Sequence, residues 1–122
     1  MKKKVLVIDD DTDIVEIVIT ILTHKGFEAA GHYTDKGIRE LVGSYKPDLI
    51  LLDIRLHGKI PGTEICKQLK KEFSIPIILF SAELKVAWKD CDANDFIHKP
   101  FDMEHLVSIV NSHIHGTAKT AG

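Results

Sequence analysis

Three short stretches of the chain are almost purely apolar: VLVI (5–8), LILL (49–52) and PIILF (76–80). Uninterrupted apolar runs of this length are what strands covered on both faces require. FEAAGHY (27–33) and DFIH (95–98) are weaker strands of the same set. Between them the apolar spacing changes to that of helices. Ile14, Ile17, Val18, Ile21 and Leu22 fall on one stripe, Gly26 lies just past its end, and Asp13 with Glu16 resembles a capping box at its start. A second helix opens at Thr34 and carries Ile38, Leu41 and Val42, with Pro47 beyond it. A third runs from about Thr63 to Glu72 and packs through Ile65 and Leu69. A last one begins at Asp102, where Phe101 and Leu106 occupy the two positions of a hydrophobic staple. Strands alternating with helices predict an α/β fold built on a parallel sheet.

At 122 residues and 44% hydrophobic content, the chain fits one domain with a substantial core, expected over residues 1–116, with 117–122 as a disordered tail. A net charge of −2 gives no basic field for nucleic acid and no basic tail for a membrane surface. The MKKK start lacks the longer apolar region of a signal peptide, and no stretch approaches the roughly 20 apolar residues of a membrane span. A cytoplasmic location is expected. Cys66 and Cys91 have no metal-site spacing and read as two reduced, partly buried thiols. Among the seven histidines, His113 and His115 alternate near a helix end, on different faces, which favours a dipole contact over a metal site.

The polar residues sharpen this outline. Asp9 and Asp10 follow the first strand, Asp53 the third, Ser81 the fourth and Lys99 the fifth. In an open parallel sheet the carboxyl ends of the strands form the crevice where ligands bind. An Asp after a strand can also be a turn residue or a helix cap, but five such residues at five matching positions are not explained that way. Converging carboxylates are tolerable around a hard divalent cation, and oxygen ligands favour Mg²⁺. Asp9 and Asp10 would hold the ion and Asp53 share it, while Asp11 points outward near the helix start. With Lys99 and Ser81 added, the set suits a phosphoryl group, one carboxylate being available as nucleophile.

VLVIDDD, DLILLD, PIILFSA and DFIHKPF together resemble the receiver domains of two-component response regulators, over nearly the entire chain from Lys4 to about Ile114. The resemblance implies a flavodoxin-like doubly wound five-stranded sheet of order 2-1-3-4-5, an order the family itself exemplifies. It implies that Asp53 accepts a phosphoryl group from a sensor histidine kinase or phosphotransfer protein. Asp9, Asp10, Asp53 and the main-chain carbonyl of Arg55 would bind Mg²⁺. Ser81 and Lys99 would contact the phosphoryl oxygens, and the Lys99–Pro100 bond would be cis. Phe96 falls at the family's switch aromatic, which moves with Ser81; a ring merely packed at the sheet edge is the alternative.

Several features depart from the family pattern. The loop IRLHGKIPGTE places His57 where proline is usual and carries one apparent extra residue before Gly62, so the third helix is expected to start late and Arg55 to lean over the pocket. Ser81 and Lys99 are only 18 positions apart, so the fourth helix is expected to be short or missing, which leaves the use of that face for signalling open. Arg55 and Glu83 are expected to pair across the pocket mouth. With no DNA-binding or enzymatic segment after the last helix, output is expected through an unidentified protein partner. Two other readings compete. A haloacid-dehalogenase-like phosphatase would open on Asp-x-Asp-x-Thr, whereas Asp9 to Thr12 reads DDDT, one position short. A phosphorylation-independent pseudo-receiver would keep the fold without the full pocket.

Overall fold

The computed structural model describes residues 2–55, 61–82 and 88–114. Five strands, β1 (Lys4–Ile8), β2 (Glu28–His32), β3 (Leu49–Asp53), β4 (Ile77–Ser81) and β5 (Asp95–His98), form one sheet of order β2-β1-β3-β4-β5. Every neighbouring pair is parallel. The helices are α1 (Thr12–His24), α2 (Ile38–Tyr45), α3 (Gly62–Glu72) and α4 (Met103–Ile114), with a 3₁₀ turn at Trp88–Cys91. The fold is therefore the flavodoxin-like one expected, with the 3₁₀ turn standing where a fourth helix of five would be; residues 83–87 lie outside the described ones.

Strand alternation divides the core in two. Val5, Val7, Leu49, Leu51, Ile78, Phe80 and Ile97 pack beneath α1 and α4, and Leu6, Ile8, Ile50, Leu52, Ile77 and Leu79 beneath α2 and α3. The central runs are apolar throughout because both of their faces are covered. Each fully buried Leu or Ile contributes about 1.5–3 kcal/mol over exposure. The strand order reverses between β1 and β3, so connections from β1 and β3 leave to opposite sides and a crevice opens at their carboxyl ends.

The helix ends show where local chemistry decided the boundary. Asp11, not the Asp13–Glu16 pair, caps α1: its carboxylate accepts from the backbone amides of Asp13 and Ile14 at 3.0 and 3.3 Å. Glu16 lies beyond the third helical position that a capping box uses. At the other end Gly26, at φ 94°, closes a Schellman motif, with its amide bonded to the Thr23 carbonyl and the Phe27 amide to the Leu22 carbonyl. The second helix starts at Ile38 rather than Thr34. Thr34 is used instead in a turn, its Oγ1 accepting from the Lys36 amide, while the Lys36 carbonyl accepts from His32 Nε2 at 2.6 Å. Asp102 caps α4 through the His105 amide at 2.8 Å, with Phe101 and Leu106 packed into the core on either side. Among the described residues no helix is long and apolar enough to cross a membrane.

Candidate functional site

β1 delivers Asp9 into the crevice because its own amide continues the sheet, donating to the His32 carbonyl at 3.1 Å. The Asp9 side chain is fully buried, and its Oδ1 accepts from the Asp11 amide at 3.0 Å. Asp10, half-buried, follows at the turn into α1. β3 ends on Asp53, which is 4% exposed. Ser81, 2% exposed, ends β4, and its carbonyl accepts the Lys99 amide at 2.8 Å, which sets the start of the chain beyond β5. The Lys99–Pro100 peptide bond is cis.

These backbone placements bring Lys99 across the crevice. Its Nζ lies 2.9 Å from Asp9 Oδ2 and 3.4 Å from Asp53 Oδ1, and 4.8 Å from the centre of the Phe80 ring. Phe80 is held in turn by an edge contact with Phe101, 6.3 Å between centroids. The aromatic face supports the ammonium without competing for its hydrogen bonds. Asp53, Arg55, Ser81, Ala82 and Lys99 line a cavity of about 310 Å³ open to solvent.

Carboxylate oxygens of Asp9, Asp10 and Asp53 lie within 4.8 Å of one another. Burial pushes the Asp53 carboxyl up to about 6, the nearby Asp9 carboxylate adds to the rise, and Lys99 and the Arg55 backbone amide oppose it. Three carboxylates against one ammonium leave an excess of negative charge in a largely buried place. Hard oxygen donors with no thiolate or imidazole among them suit Mg²⁺, which keeps several waters and needs few protein ligands. The donor set fits that ion.

Gly62 is the contributor that sequence pattern alone did not single out. A Cβ built on it would sit 2.4 Å from the Asp53 carbonyl oxygen and 2.7 Å from Ile54 Cα, both backbone atoms. The Gly62 amide donates to the Ile54 carbonyl at 2.8 Å, so α3 begins directly on the end of β3. Its signal in sequence was a glycine after Pro61 at a helix start. Gly62→Ala is expected to destabilise the fold by about 1–3 kcal/mol, because backbone must move to admit the methyl. Urea unfolding measures this; an unchanged midpoint would contradict the close approach.

Asp9, Asp10, Asp53, Ser81, Arg55 and Lys99 thus gather at one end of the sheet. Phe96 does not line the cavity: half-buried in β5 beside Leu79, it packs against the α2–α3 side of the core. α3 starts at Gly62, one residue from the start expected, and Arg55 borders the cavity. His57 and the Glu83 half of the expected Arg55–Glu83 pair lie outside the described residues, as do His115 and the expected tail at 117–122.

The family model described as "Response regulator receiver domain" matches residues 5–111. The fold is also similar to solved structures. The BeF3-activated N-terminal receiver domain of Klebsiella pneumoniae RstA is 25% identical, with 92% of this chain and 98% of that one covered and a TM-score of 0.85. A CheY-like response regulator receiver domain protein from Methanospirillum hungatei JF-1 is 22% identical, covering 98% and 99%, with a TM-score of 0.88. NtrX from Brucella abortus is 27% identical over 99% of this chain and 29% of its own longer one, with a TM-score of 0.88.

Proposed function

Since the chain belongs to the response regulator receiver domain family, we propose that it is a phosphorylation-controlled signalling module whose phosphoacceptor is Asp53. The observation that carries the reading is the Lys99 ammonium held between Asp9 and Asp53 at 2.9 and 3.4 Å, beside Ser81, over an open cavity. An Asp53 oxygen attacks phosphorus in the N-phosphoryl imidazole of a sensor histidine kinase or phosphotransfer protein. The P–N bond breaks and the imidazole leaves with its electron pair. Asp9 and Asp10, with Asp53 and the Arg55 carbonyl, would hold Mg²⁺, which would supply charge neutralisation at the phosphoryl oxygens. Lys99 neutralises further charge and Ser81 donates a hydrogen bond to a phosphoryl oxygen.

Phosphorylation adds roughly −1.5 to −2 charges at neutral pH, enough to re-pair Lys99 and Ser81 and, through β4 and β5, to reposition Phe96. Output then passes to a protein partner, and the module works in the cytoplasm. Incubation with acetyl phosphate and Mg²⁺ followed by intact-mass measurement tests the reading. The wild type should gain one phosphoryl group, and neither the EDTA-treated protein nor Asp53→Asn should gain any. Turnover of a phosphomonoester that survives Asp53→Asn would instead indicate a phosphatase, and a wild type that never labels would indicate a pseudo-receiver.

A further inference from the structure

Cys66 in α3 and Cys91 at the end of the 3₁₀ turn are 0% and 1% exposed and belong to the same half of the core, though 25 residues apart in sequence. The Cys66 thiol donates to the Cys91 carbonyl at 3.4 Å, and both thiols are reduced. That contact sets the Cys66 sulfur against the backbone of Cys91, side by side in the core. Each cysteine sits on a segment that leads to the site. α3 begins at Gly62, against the backbone of Asp53, and Cys91 passes through Asp92, at φ 63°, into β5. Nothing in phosphoryl transfer uses either thiol.

We propose that Cys66 and Cys91 are a reversible oxidation site, forming an intramolecular disulfide that fastens α3 to the connection between β4 and β5. The oxidant is a peroxide. One thiol, losing its proton, attacks a peroxide oxygen; the O–O bond breaks, water leaves, and a sulfenic acid remains. The second thiol attacks that sulfur, the S–O bond breaks, and a second water leaves. Two thiols and one hydrogen peroxide thus give a disulfide and two waters, the sulfurs losing the two electrons the peroxide gains. Burial and the neighbouring thiol push Cys66 up to about 12, so the reaction is slow in the folded protein and proceeds as the 3₁₀ turn loosens. This inference stands apart from the role given to Asp53.

Hydrogen peroxide treatment of the folded wild type, followed by a tryptic digest without reductant, decides it. The expected result is a linked pair of peptides, 60–67 and 90–119, lighter by two hydrogens than the separate peptides and separated again by dithiothreitol. Cysteines that stay reduced, that accumulate as separate oxyacids, or that link only between copies of the chain would overturn it.

Discussion

Lys99→Ala is expected to cost about 3 kcal/mol of stability in metal-free protein and to slow phosphorylation of Asp53 at least about 100-fold. The Lys99 side chain is 16% exposed and faces an Asp9 side chain with no exposure and an Asp53 side chain with 6%. Removing the ammonium leaves two buried carboxylates facing each other, and uncompensated buried charge costs far more than a lost surface pair. Proton uptake by Asp53 limits the loss. If Mg²⁺ binds these carboxylates, saturating Mg²⁺ should raise the urea midpoint of the variant more than that of the wild type. The kinetic defect should remain, because a bound cation would not replace the charge that Lys99 would bring to the phosphoryl oxygens. Equal Mg²⁺ gains in both proteins would separate Lys99 from the metal site.

Asp53→Asn should make the metal-free protein more stable at neutral pH, by an amount that shrinks as pH falls. The Asp53 carboxyl sits at about 6 folded against an ordinary 3.8, so between those values the folded state binds more protons than the unfolded. Stability therefore falls as pH rises through this window, and the penalty is complete above about 6. Asn has no such penalty. The difference between variant and wild type should grow by about 2 kcal/mol from pH 4 to 7, allowing for solvent in the open cavity. A bound Mg²⁺ favours the charged carboxylate and should flatten the difference. Urea midpoints of both proteins at four pH values, with Mg²⁺ and with EDTA, measure it; parallel curves throughout would mean that burial and the Asp9 carboxylate do not raise the Asp53 carboxyl.

Much of the arrangement was legible in sequence because its causes are local or periodic. The apolar runs announced the buried strands, and an acidic, hydroxyl or basic residue at or just after the end of each of four strands marked the crevice. What escaped were features that depend on distant partners. The start of α2 moved from Thr34 to Ile38 because His32, at the end of β2, competes for the Lys36 carbonyl. The α1 cap fell on Asp11 because Asp9, anchored to Lys99, accepts the Asp11 amide and turns the chain there. Gly62 gave no periodic signal, since its role is the space it leaves for the Asp53 carbonyl. Phe80 read only as core, although its ring also supports the Lys99 ammonium.

On the proposed function, Asp53 itself receives the phosphoryl group, in a cation-dependent pocket. Borohydride reduction of the phosphorylated protein tests it most directly, because an acyl phosphate carbon is reduced to the alcohol and leaves homoserine at that position. Peptide sequencing should find homoserine at position 53 alone, and only in protein treated with acetyl phosphate in the presence of Mg²⁺. Homoserine elsewhere, or a label that withstands both acid and base and leaves Asp53 intact, would contradict it.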